Sequence, residues 1–232
     1  MYFVVPIIVV LILGSLLIIA GIRGCSKSNS VSSHEEGIGE APGFAANSTL
    51  PDFTTPVREA PKSFKKNTYM PNIPESEASG SIDKSDFAAG RDLIYMEESR
   101  ILWKCDHSMH RAMEIPFRRL VNLVTAAGWD LKVHEIYMPS GSVHATRSLH
   151  KEGRALDITV DRPDPKPSIT HFEKIEAYEE LSKLAWQAGF DWVYYEYSKG
   201  TGPHIHASVR ADAPTMRDYK KPCVSDECNC KK

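Results

Sequence analysis

The stretch Ser148-Leu149-His150-Lys151-Glu152-Gly153-Arg154-Ala155-Leu156-Asp157 decides how this chain reads. It sets an imidazole and a carboxylate seven residues apart across a glycine-containing bend, and a bend there can bring both side chains to one point. Further on, His204-Ile205-His206 offers two more imidazoles. Side chains in an extended chain repeat every second residue, so these two share one strand face. Catalytic zinc typically takes three nitrogen or oxygen ligands from the protein and leaves a fourth position to water. His150, Asp157 and His206 supply such a set. Zinc lowers the pKa of its water to about 7, and a base must still manage the proton. Glu196, eight residues ahead of His204, is the expected general base. His144, in the loop before the first ligand, is placed to hydrogen-bond a developing oxyanion or to share in proton transfer.

Working outward, residues 109–127 carry Met109, Met113, Phe117, Leu120, Val121 and Val124 at helical spacing, closed by Gly128. Pro116 is expected to kink or restart that helix. Residues 130–138 and 154–160 read as strands, with His144 in the loop between them. A second amphipathic helix is expected over 170–188, with Gly189 as its C-cap. Residues 191–197 and 204–209 read as paired strands joined by a glycine-containing turn over 198–203. The expectation is an α+β domain over 87–212, a mainly antiparallel sheet flanked by helices.

The flanks differ in character. Residues 2–22 are apolar without a charge, long enough to span a bilayer, and lack the basic n-region of a cleavable leader. They read as an uncleaved single-pass transmembrane anchor, with lipidation at Cys25 a minor alternative. Arg23 and Lys27 after the run would hold the domain on the cytoplasmic side, whereas cell-wall chemistry requires the extracytoplasmic side, where the domain is expected. Residues 26–84, rich in Ser, Pro, Glu, Gly and Ala with no sustained period, read as a flexible, disordered tether. Asn47-Ser48-Thr49 within it matches a glycosylation acceptor. Residues 213–232 read as a tail holding Cys223, Cys228 and Cys230, and the five cysteines of the chain form no disulfide scaffold. A net charge of −2 points to no nucleic-acid partner. Cys105, His107 and His110 are explained more simply by a polar helix start than by a metal cluster, and His34, His134 and His171 by structural roles. Glu97, Glu98 and Glu135 read as solvated charges.

Three segments, S-L-H-K-E-G-R-A-L-D-I-T from Ser148, A-G-F-D-W-V-Y-Y-E ending at Glu196, and H-I-H-A-S-V-R from His204, closely resemble the hedgehog signalling domain. The Ser-x-His-x-x-Gly-x-Ala-x-Asp pattern is similar to that of D-Ala-D-Ala carboxypeptidases, dipeptidases and related cell-wall endopeptidases of the same zinc fold. The resemblance implies that His150, Asp157 and His206 hold zinc, that Glu196 contacts the metal's water and that His144 lies beside it. His204, Ser148 and Arg147 would support the ligands from just outside. Three departures accompany the match. The turn between Glu196 and His204 is longer. The acidic calcium loop of animal hedgehogs is replaced by Met138-Pro139-Ser140-Gly141-Ser142, so calcium is not carried over, although Glu97, Glu98 and Glu135 remain nearby. No Gly-Cys-Phe processing junction follows Arg210. The chain is thus expected to be similar to a membrane-anchored bacterial or phage zinc peptidase acting on peptidoglycan peptides. The alternative is a hedgehog-like binding or signalling module with structural zinc.

Overall fold

The computed structural model describes residues 50–80, 92–139, 144–145, 147–163, 168–197 and 202–219. In chain order the elements are β1 (Tyr69–Met70), α1 (Glu75–Ala78), β2 (Leu93–Tyr95), β3 (Ile101–Trp103) and β4 (Ser108–His110), then a 3-10 turn and α2 (Glu114–Ala126). There follow β5 (Asp130–Glu135), a second 3-10 turn (Leu149–Glu152), β6 (Ala155–Asp161), α3 (His171–Ala188), β7 (Trp192–Glu196) and β8 (His204–Ser208). Among the described residues the main sheet runs β1-β7-β8-β6-β5-β3, and β2 pairs with β4 in a separate hairpin. All the main-sheet pairs are antiparallel except β3 with β5, so the sheet is mixed.

Alternation along the strands decides which face meets the helices. Val133, Leu156, Ile158, Val193, Tyr195, Ile205 and Ala207 are fully buried on one face, where Phe117, Leu120 and Val124 of α2 and Ala185 of α3 close the core. The residues between them, Asp157, His206 and Tyr194, are cross-strand partners on the opposite face. Helix placement follows local chemistry. Thr170 and Glu173 form a reciprocal capping box at the start of α3, and Gly189 ends it at φ 104°. Pro116 lies in the first turn of α2, where its missing N–H has no intrahelical partner, so the helix begins there instead of kinking.

Two expectations about the flanks need correction or placement. Residues 50–80, expected to be part of a tether, are built into the domain: β1 adds an edge strand beside β7, and Phe64 is 1% exposed in the core. Arg119, buried under this strap, donates to the Asp52 carbonyl at 2.8 Å, and Trp192 Nε1 donates to Ile73 at 3.1 Å. The segment shows no period because its partners lie far along the chain. The span 2–22, and the tail from 220 with its three cysteines, lie outside the described residues. Among the described residues no helix is long and apolar enough to cross a membrane.

Candidate metal centre

A row of side chains runs across the sheet at right angles to its strands. Glu135 of β5 lies opposite Asp157 of β6, Asp157 opposite His206 of β8, and His206 opposite Tyr194 of β7. Neighbouring strands are about 4.8 Å apart, so residues in register place their functional groups within reach of one another. Glu135 reaches this row through a bulge. Val133 opposes Ile158 on the core face, and the register shift lets Glu135, two residues on, oppose Asp157 on the other face.

His150 arrives from outside the sheet, on the 3-10 turn over Leu149–Glu152. Gly153 ends that turn at φ 67°, and a side chain there would meet the His110 nitrogen at 2.9 Å. Both facts require glycine at the bend. Fully buried His150 donates through Nδ1 to the Ile136 carbonyl at 3.0 Å, which turns Nε2 toward the sheet. There Nε2 stands 3.3 Å from Asp157 Oδ1 and 3.2 Å from His206 Nδ1, while His206 Nδ1 is 2.9 Å from Asp157 Oδ1. Ligand atoms about 2.1 Å from a tetrahedral metal lie about 3.4 Å from each other. The three separations fit one cation.

A second grouping overlaps this one. Donor atoms of Glu135, His144, His150 and Asp157 all lie within 4.8 Å of one another. His144 stacks on His150 with ring centres 4.3 Å apart, and its Nε2 is 2.5 Å from Glu135. The two groups share His150 and Asp157. They differ in the remaining donors, His206 in the first and Glu135 with His144 in the second.

Charge is concentrated here. Burial opposes ionisation of Asp157, yet hydrogen bonds from His150 and His206 outweigh it and hold the carboxyl well below the usual range. Burial also opposes protonation of His206, but the Asp157 and Glu75 carboxylates on its two nitrogens push its pKa up to about 10. The ring is thus held between two carboxylates, and a cation bound at Nδ1 would take the place of the proton there.

The outer residues sort clearly. His204 Nε2 lies 3.4 Å from Glu196 and 3.7 Å from Asp157, which puts Glu196 at the rim of the centre beside the imidazole opposite it in register. Ser148 caps the His150 turn by accepting from the His150 N–H at 3.4 Å. Arg147 is exposed and the structure does not bring it to the ligands. Sequence reasoning missed Glu75 and gave Glu135 only a solvated role. The signal for Glu135 was its place two residues beyond a buried strand valine, but the bulge that re-aims it has no local signature. Glu75 carried none.

The class these features define is an α+β protein with a histidine–carboxylate cluster on the sheet face turned away from the helices. The chain belongs to the hedgehog amino-terminal signalling domain family, whose model matches residues 52–208. It is 29% identical to the Indian hedgehog protein of Xenopus laevis over 89% of this chain and 45% of that protein. It is 44% identical to the Sonic hedgehog protein of Danio rerio over 40% of this chain and 16% of that protein. Against the hedgehog protein of Drosophila simulans the figures are 35% identity, 46% and 21%. The chain therefore spans less than half the length of these relatives. The family match also corrects the expected location as a single-pass membrane protein, because the relatives it points to are hedgehog signalling proteins. An apolar run shows that a segment avoids water, and this alone does not make it a permanent anchor.

Proposed function

We propose that residues 52–208 act as a hedgehog-type signalling module in which zinc, held by His150, Asp157 and His206, fixes the shape of a recognition surface. The observation that carries this reading is the extent of the family match, which takes in the strap, both long helices and the whole rung from Glu135 to Tyr194. Two nitrogens and a carboxylate oxygen suit zinc by donor type. When bound, the ion supplies Lewis acidity and cross-links the 3-10 turn to β6 and β8. The protein supplies the rest: Ile136 fixes the His150 ring, and β6 and β8 hold Asp157 and His206 in register.

One observation favours hydrolysis as a second reading. Glu196 and His204 stand together at the rim, and a carboxylate beside the metal locus can accept a proton from water. Peptidoglycan peptides ending in D-alanine are the substrates that reading names. A single set of proteins separates the two. Zinc-loaded wild type, Glu196→Ala and Asp157→Ala are each assayed for release of D-alanine from muropeptides and for activation of a transcriptional reporter in hedgehog-responsive cells. The signalling module is expected to release none, to retain reporter activity in Glu196→Ala and to lose it in Asp157→Ala. Turnover that disappears in Glu196→Ala with zinc retained would replace signalling by hydrolysis.

A further inference from the structure

The ligand set leaves one strong contact unexplained. His206 presents Nδ1 to Asp157 and His150, and its other nitrogen, Nε2, lies 2.9 Å from Glu75 Oε1. Glu75 does not come from the sheet. It opens α1, four residues long, in the strap that precedes the rest of the domain.

The strap is fastened on both sides of Glu75. Upstream, Tyr69 and Met70 pair with Tyr194 and Val193, the Tyr69 ring stacks on Trp192 at 5.5 Å, and Trp192 Nε1 holds the Ile73 carbonyl. Downstream, the buried Arg154 guanidinium donates to Ser79 at 2.8 Å and to Gly80 at 3.0 Å. Ser79 and Ser208, both fully buried, share a hydroxyl hydrogen bond of 2.7 Å, and Ser208 in turn bonds the Glu75 carboxylate. Ser208 can donate only once, so the relay has one direction: Ser79 donates to Ser208, Ser208 to Glu75, and Glu75 accepts from His206. The indole of Trp192 stands edge-on to the His206 ring at 5.7 Å and limits its rotation.

We propose that Glu75 is a positioning residue of the metal centre: its carboxylate accepts the His206 Nε2–H and thereby fixes the tautomer and ring angle that leave Nδ1 free for the ion. The proposal rests on the zinc reading above. A metal-bound histidine commonly donates its second N–H to a carboxylate, and removing such a partner costs about 10–100-fold in metal affinity. Here the partner is carried by the strap, so strap docking and metal binding are coupled. Linkage makes the coupling reciprocal: zinc holds the strap down by the same factor by which the strap tightens zinc.

The test uses the full chain, with zinc affinity measured by chelator competition. Glu75→Ala is expected to bind zinc about 10–100-fold more weakly than wild type. Glu75→Gln keeps a neutral acceptor and recovers part of the loss, and Glu77→Ala, a neighbouring exposed carboxylate, changes nothing. In nitrogen-15 spectra of the zinc-loaded protein, the low-field Nε2–H signal of His206 is expected in wild type and Glu77→Ala and is absent in Glu75→Ala. Zinc is expected to slow amide exchange at Asn67 and Ser79 in wild type and to lose that effect in Glu75→Ala. Wild type that binds zinc with Glu75→Ala within twofold of it overturns the inference and leaves the metal reading standing. Wild type that binds no zinc overturns the metal reading itself. Should Glu75→Ala fold poorly, as judged by its metal-free melting temperature, Glu75→Leu, which keeps the side-chain bulk but accepts no hydrogen bond, decides by the same affinity and spectral criteria.

Discussion

The β6–β8 pair and the strap over residues 50–80 are equally part of the folded domain, yet they could hardly read more differently as sequence. In β6 and β8 every second residue enters the core, and Asp157 and His206 fall on the other face by the same rule. In the strap the anchors are Phe64, Tyr69, Ile73 and Glu75, at no fixed period. The first region is specified by its own repeat, the second by partners 67 to 131 residues away. Chain that lacks a period is therefore not chain that lacks structure, and polar composition alone cannot separate a linker from a strap.

That comparison can be broken by experiment. The largest effect is expected at Phe64, which is as deeply buried as Phe117 of α2. Phe64→Ala and Phe117→Ala should each lower unfolding free energy by about 3–5 kcal/mol in urea titration. If Phe64→Ala costs under about 0.5 kcal/mol, within the range of ordinary surface substitutions, the strap is a passenger and the contrast collapses. Next comes Asp157→Ala, which removes a ligand outright and is expected to weaken zinc binding by more than the ~100-fold upper range for an outer partner. His144→Ala measured alongside it sharpens the ligand choice, because a comparable loss there would move the ion to the Glu135 side of the row.

A smaller effect concerns pH. Burial disfavours charge on Asp161, but the Lys132 ammonium and the backbone N–H groups of Ile169 and Arg162 win, and its pKa falls to about 2. A depressed carboxyl stabilises the fold above its unfolded value of about 3.9, and that contribution fades as pH drops through the folded value. Metal-free protein is expected to lose about 1–2 kcal/mol between pH 4 and pH 2 from this group, and Asp161→Asn should flatten that part of the profile. An equal slope in the variant would assign the loss to other groups. The smallest effect is expected at the exposed Arg210–Asp212 pair, where Arg210→Ala should shift stability by no more than about 0.5 kcal/mol.

Much of the centre was legible from residue types and spacing. The glycine of the bend, the seven-residue step from His150 to Asp157 and the alternation in His204-Ile205-His206 are local facts, and they bring the three donors within 2.9–3.3 Å of one another. Local reasoning made Glu196 the general base, and the structure sets its carboxylate 3.4 Å from His204 Nε2. It misjudged Glu135, because a bulge reverses the face that alternation assigns, and it overlooked Glu75, because one carboxylate in an aperiodic segment is indistinguishable from a solvated one. It made the sheet mainly antiparallel, and the parallel β3 edge follows from a crossover whose return path no single strand encodes.

The sequence by itself determined the helix limits through the Thr170 cap and Gly189, the strands through their alternation, and the kinds of side chain that meet in the centre through the motif around Gly153. Backbone conformation and side-chain direction are set within a few residues, so those choices are written locally. Only the tertiary structure decided that Glu135, Asp157, His206 and Tyr194 form one row, that His150 drops onto it, and that a distant strap closes it with Glu75. Those choices depend on which strands become neighbours and in what register. The burial of the whole core fixes register, and no single segment carries that information.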